Sequence, residues 1–341
     1  MAIVTYRLSV LDQSPITVGS TAVEALRNTL DLARAADALG YHRYWLAEHH
    51  ASPALAGVAP EALIGPVALA TERIRVGSGG VMLPHYSPFK VAETFSMLSA
   101  LAPGRIDLGL GRAPGSDQRT AVALQRDRTR RTAHDFPEQL DELAAYFDAS
   151  LPDDHPFAPL QDLLPSGGGT PDLWLLGSSP ESAFWAAERG LPYCFADFIN
   201  PDGAHLARAY RRNFRASARL AAPYVMAAIW TIAAPSAEEA ERLAAPARMM
   251  FAHLIAGNPI RVPPVEEALA WLEAHPPSDR RHRRTILGTP MQIRSHLDEV
   301  AADYEADELM LVNILPDHEA RRRSYALVAA QYGLASAAAD A

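Results

Sequence analysis

Two spacings of apolar residues alternate along this chain. Leu8–Leu11 is a short apolar run of strand length. The segment after it, Thr21–Leu39, carries helical spacing through Leu26, Leu30, Leu32, Ala36 and Leu39 before Gly40 stops it. The alternation repeats as strand Tyr44–Ala47 with helix Pro60–Ala70, Ile74–Leu83 with Pro88–Leu101, and Ile106–Leu110 with Phe136–Phe147. Leu173–Leu176 and Pro180–Arg189 make a fifth pair, Tyr193–Asp197 and Pro201–Phe214 a sixth, Tyr224–Ala233 and Ala237–Ile255 a seventh. An extra helix is predicted near Val265–Ala274 and another from Thr289-Pro290, before Leu309–Ile314 and His318–Tyr332 complete an eighth pair. Eight such units in 341 residues predict the α/β class and a closed (β/α)8 TIM barrel over an open doubly wound sheet. Nothing marks a domain boundary, so one domain is expected over residues 1–341. Two irregular stretches, Ala113–His134 rich in Arg and Ser150–Pro171 rich in Pro, Asp and Gly, are expected as loop insertions on the active face.

Composition narrows the classes. A net charge of −9 argues against nonspecific nucleic-acid binding. Cys194 is the only cysteine, which excludes a disulfide framework or a thiolate metal cluster within the chain. No apolar run reaches the roughly 20 residues that span a bilayer, and Met1–Arg7 lacks the pattern of a secretory signal, so a cytoplasmic protein is expected.

On a barrel the chemistry sits at the C-terminal strand ends, where Glu48-His49-His50, His85, Arg112 and Ser178-Ser179 fall. Ile106–Leu110 alternates apolar residues and ends on Gly111 and Arg112, a strand that delivers a guanidinium to an anionic ligand. Leu173–Leu176 turns into a helix opening on Ser178-Ser179-Pro180, which offers N–H groups and hydroxyls to the same anion. Two strand ends able to hold one phosphate suggest a phosphorylated cofactor. Gly77-Ser78-Gly79-Gly80 interrupts an apolar strand; it is either a simple kink or bare backbone for a flat aromatic cofactor. Adjacent residues on an extended chain face opposite ways, so His49 and His50 do not share one metal; one of them is read as facing the pocket. The arginines from Arg119 to Arg131 are either a solvated face or a second phosphate site. No Gly-x-Gly-x-x-Gly follows the first strand, and no Gly-x-Ser-x-Gly elbow is present.

Four ordered motifs carry a resemblance over nearly the whole chain: Tyr44–His50, Val76–Pro84, Pro103–Arg112 and Trp185–Pro192. Together they resemble the bacterial luciferase-like flavin monooxygenases. Leu11-Asp12-Gln13-Ser14-Pro15 and Arg112-Ala113-Pro114-Gly115 are similar to a single-chain subgroup of mostly unknown substrate. The resemblance implies that Arg112, Ser178, Ser179 and Ser182 hold the FMN phosphate. It also implies a cis peptide at Gly79-Gly80 against the flavin ring, and His49 as the active-site histidine. Reduced FMN from a separate flavin reductase, O2 and a small organic substrate are then expected, with no metal, no nucleic acid and no membrane, in a homo-oligomer. Gly111 stands where luciferase itself has a cysteine beside the flavin, which argues against light emission. Deazaflavin-dependent hydride transfer and a non-catalytic flavin-binding protein are the rival readings.

Overall fold

Residues of alternating polarity in a strand face opposite sides of a sheet, and closing the sheet separates two apolar populations. In the computed structural model, which describes residues 6–113, 117–125, 135–276 and 284–334, that is how the core divides. The strands are β1 (Arg7–Asp12), β2 (Arg43–Leu46), β3 (Arg75–Met82), β4 (Ile106–Gly111), β5 (Asp172–Gly177), β6 (Tyr193–Ala196), β7 (Val225–Ala233), β8 (Thr285–Gly288) and β9 (Glu308–Val312). Strands β1 to β7 pair in chain order, all parallel, and β9 closes the ring between β7 and β1. The expected eight-stranded barrel is therefore present. The short strand β8 had no counterpart in the sequence pattern; it runs along Trp230–Ala233 of β7 and is not one of the ring strands.

Around the ring lie α1 (Ala22–Ala38), α2 (Pro60–Ala70), α3 (Pro88–Leu101), α4 (Gln118–Leu124), α5 (Phe136–Asp148), α6 (Pro180–Glu188), α7 (Ala204–Asn213), α8 (Ala237–Ile255), α9 (Val265–Ala274), α10 (Pro290–Tyr304) and α11 (His318–Tyr332). Capping boxes at Thr21/Glu24 and Thr289/Gln292 start α1 and α10, and Ser179 caps α6 with Pro180 behind it. Outward strand residues such as Val10, Tyr44, Val76, Leu108 and Leu175 pack beneath the helices. Inward residues Leu11, Trp45, Trp174, Met226 and Met310 form a separate cluster inside the barrel.

The two irregular stretches part company. The first follows the C-terminal end of β4, as expected; its residues 117–125 include α4, and residues 114–116 and 126–134 lie outside the described part. The second, Ser150–Pro171, joins the end of α5 to the start of β5, which places it at the N-terminal end of the barrel and corrects the expectation of a loop insertion on the active face. Its flanks are tied there by ion pairs, Arg75 to Asp172 at 2.6 Å and Arg219 to Asp148 at 2.5 Å.

That end of the interior is plugged by charge. Buried Arg43 donates to Asp107 at 2.8 Å and to Glu308 at 3.1 Å, and its guanidinium lies 4.7 Å from the Trp174 ring centre. Arg75 holds the other Asp107 oxygen, Trp45 Nε1 donates to Asp107 at 2.9 Å, and Tyr224 donates to Glu308 at 2.8 Å. Burial alone would raise the Asp107 carboxyl, but the Arg43 and Arg75 guanidiniums outweigh it and hold the group below the usual carboxylate range. Gly77 makes room for this: a Cβ there would lie 2.6 Å from Asp107 Cβ and 2.9 Å from Trp45 Nε1. No helix among the described residues is long and apolar enough to cross a membrane.

Candidate active site

Above the plug the interior turns small. Ala47, Gly79, Gly80, Gly111, Gly177, Ala196 and Ala228 replace bulky residues at the C-terminal strand ends, and a cavity of about 530 Å³ opens there. Trp45, Leu11, Leu176 and Met310 form much of its apolar wall. The seven residues that the resemblance assigned to the cofactor and the chemistry, His49, Gly79, Gly80, Arg112, Ser178, Ser179 and Ser182, line this one cavity, as does Glu48; His50 and His85, also singled out from the sequence, are not part of its lining.

The Gly79–Gly80 peptide is cis, and the pairing of β3 with β4 shifts register between Gly79 and Val81. A patch of bare backbone faces the cavity here. At the β4 end, Arg112 lies with its guanidinium 5.2 Å from the ring centre of Trp185, a cation–π contact that ties it to α6. Ser179 caps α6, so the positive end of that helix opens beside Arg112. The Ser182 hydroxyl is turned inward, donating to Ser179 O at 2.8 Å and sharing a contact of 3.0 Å with the Tyr193 hydroxyl.

The end of β2 separates its three polar residues. Glu48 is fully buried; it accepts from His50 Nε2 at 2.8 Å, from Tyr86 Oη at 3.2 Å and from Met82 N at 2.9 Å. His50 is thereby held against Glu48, while His49 lines the cavity. Only the His49 backbone is tied, to Gly57 O at 2.9 Å; its imidazole bonds to no described residue, and Nδ1 is buried. Burial and then the neighbouring His50 push its pKa down to about 4, so the ring is neutral near pH 7. Among the described residues no group of three His, Cys, Asp or Glu is placed to hold a metal ion.

A model of the luciferase-like monooxygenase family matches residues 6–308. The chain belongs to that family. It is 43% identical to a luciferase-like monooxygenase of Escherichia coli strain K12, covering 95% of this chain and 96% of the relative. It is 40% identical to the N-acetyl-S-alkylcysteine monooxygenase of Bacillus subtilis strain 168, covering 94% of this chain and 97% of the relative. The crystal structure of apo-MsnO8 superimposes with a TM-score of 0.88 at 38% identity, over 97% of this chain and 99% of that one.

Sequence reasoning passed over two polar residues of the cavity, Gln13 and Cys194. Cys194 shares its face of β6 with Ala196 and so faces inward, a signal available only once the inner face of that strand is known. Burial pushes its thiol well above the ordinary range, so it is protonated and inert toward thiolate chemistry near neutral pH.

Proposed function

We propose that this monooxygenase-family chain uses reduced FMN, delivered by a separate flavin reductase, and O2 to oxygenate a small organic substrate. One observation carries the reading: a single cavity joins bare glycine backbone, suited to a flat ring, to Arg112 and the α6 N-terminus, suited to a phosphate. The residues fit the group. A Cβ at Gly80 would lie 2.8 Å from Gly109 O, a backbone atom, and one at Gly79 would press on the Leu11 tip and lie 3.1 Å from Trp45 Cβ, so glycine keeps this shelf bare. Bound reduced FMN supplies the electrons that activate O2, which no side chain here can provide. The chain contributes the rest. Arg112, Ser178, Ser179 and the turn braced by Ser182 hold the phosphate end through charge-assisted hydrogen bonds. Gly79 and Gly80 set the ring plane, and the apolar wall keeps water from the reacting atoms. His49, neutral and without a side-chain partner among the described residues, holds or passes a proton at an imidazole nitrogen facing the ring and substrate.

The test is incorporation of label. The purified chain, a flavin reductase, NADH, FMN and 18O2 are incubated with a substrate panel that includes N-acetyl-S-alkylcysteines, the class named for the Bacillus relative. One labelled oxygen atom in the product is expected. Turnover without label, supported by a reduced deazaflavin and not by reduced FMN, would establish hydride transfer instead.

A further inference from the structure

The motif Leu11-Asp12-Gln13-Ser14-Pro15 ends β1, and the proposed function leaves it unused. Its geometry is over-determined on one side and open on the other. Asp12 is fully buried and turned toward the helices. It accepts from Arg321 Nη2 at 2.9 Å, from the Tyr44 hydroxyl at 2.6 Å and from Ser14 N at 2.8 Å. Ser14 takes the left-handed region at φ 49°, and its hydroxyl lies 2.8 Å from that of Thr29. The adjoining backbone is stitched to the loop after β2, Ala47 N to Asp12 O at 3.0 Å and Ala56 N to Ser14 O at 2.9 Å. Anchors on both sides leave Gln13 one direction, into the cavity, where it is 6% exposed.

The Gln13 amide bonds to no described residue, and its Oε1 is buried without a partner. A buried carbonyl oxygen is costly to leave unpaired, so a rigid mount that creates one points to a ligand that satisfies it. A carboxamide presents an acceptor and a donor on one edge and is complementary to the same pair in a ligand. The surroundings select against charge. Glu48, the carboxylate beside His49, is already engaged by three donors, and Arg112 is three strands away around the ring. Apolar Leu11, Ala228 and Met310 complete the cavity wall on the Gln13 side.

Position separates this amide from the flavin. The proposed phosphate end lies at β4 and β5 and the glycine shelf on β3. His49 comes next, past the end of β2, and Gln13, just past the end of β1, is farthest along that series. Gln13 and His49 leave the ends of two paired strands and line the same cavity, so both face a ligand group beyond the ring. We propose that Gln13 is a specificity-determining residue that pairs with a neutral carboxamide-type edge on an otherwise apolar substrate, next to His49. The proposal rests on the FMN reading only in assigning the glycine shelf to the ring.

The test titrates octanamide, octanoate and octylamine into the parent chain and into Gln13→Leu and Gln13→Glu, with and without FMN, and measures FMN affinity separately. The parent should bind octanamide at least tenfold more tightly than either ion. Gln13→Leu should weaken octanamide about tenfold while FMN affinity stays within twofold. Gln13→Glu should lose octanamide and favour octylamine. A parent with no preference for the amide, or a Leu variant that keeps it, overturns the assignment. So does a Leu variant that loses FMN and octanamide together, because Gln13 would then serve the ring. A parent that binds octanamide as expected but takes up no FMN would overturn the cofactor reading and leave the role of Gln13 standing.

Discussion

At the scale of single residues, the proposed function divides labour between groups that hold and a group that reacts. Arg112 is proposed as the first kind. Its guanidinium shares a rim with the α6 N-terminus, and a charge-assisted contact of this type contributes about 1.5–3 kcal/mol. Arg112→Ala should weaken FMN binding roughly ten- to a hundredfold while riboflavin, which lacks the phosphate, binds both proteins alike. Fluorescence titration with the two ligands checks this, and equal losses would place Arg112 outside the phosphate site. His49 is proposed as the second kind. His49→Ala should leave FMN affinity within a few fold and cut turnover by about 10²–10⁴, the usual loss for an acid–base group. Arg112 and His49 were legible as cavity residues because each follows a strand end, and Gly79 and Gly80 because they interrupt an otherwise apolar strand. Gln13 and Cys194 were not: a two-residue period separates two faces without saying which one looks inward.

At the scale of elements, the close pairing of β3 with β4 is what exposes the shelf. A Cβ on Gly109 would lie 2.7 Å from Leu176 Cδ1 and would collide with the carbonyl oxygen of Ser78, a backbone atom with nowhere to go. At Gly111 the nearest atom is Met82 Sδ at 3.1 Å, the tip of a flexible side chain. Gly109→Ala should therefore lose about 1–3 kcal/mol of stability in urea unfolding, and Gly111→Ala less than about 1 kcal/mol. Similar losses in the two would mean that β3 and β4 can slide apart. Strands of the ring were readable because each alternates or runs apolar for at least four residues. Strand β8, four residues long and outside the ring, carries too few positions to show a period. The stretch Ser150–Pro171 was placed at the wrong end because composition marks a loop but not the side of the barrel it lies on. Direction comes from counting elements: a loop that leaves a strand lies at the top of the barrel, and a loop that leaves a helix lies at the bottom.

At the scale of the whole molecule, buried charge sets two responses. Removing the guanidinium from the plug leaves the buried Glu308 carboxylate with hydroxyl donors but no guanidinium, and Asp107 with Arg75 as its one remaining guanidinium among the described residues, so Arg43→Leu should destabilise the barrel by about 3–5 kcal/mol. Asp197 works the other way. It is fully buried beside Tyr304, which donates to it at 2.8 Å, and beside Arg284 at 3.6 Å, yet burial dominates and raises its pKa to about 6. The folded state then binds this proton more tightly than the unfolded chain, whose aspartates titrate near about 3.9. Its contribution is greatest below about pH 4, declines as pH rises to about 6, and is flat above. Asp197→Asn keeps an acceptor for Tyr304 without the charge. It should raise stability near pH 7.5 by about 1–3 kcal/mol and show no gain at pH 4, as followed by thermal melts across pH.

The charged plug also floors the cavity, closing the N-terminal end of the barrel and leaving a well that is entered from the C-terminal face. Whatever goes in second must come out first. If the flat ring lies on the glycine shelf and the substrate beyond it toward Gln13, a substrate molecule that arrives early stands in the ring's path. Turnover should then follow a compulsory order, reduced cofactor before substrate. Excess substrate should slow the reaction, and more reduced FMN should relieve that inhibition. Steady-state rates over a grid of both concentrations would show it, and a rate that only saturates with substrate would mean that the well has a second way in.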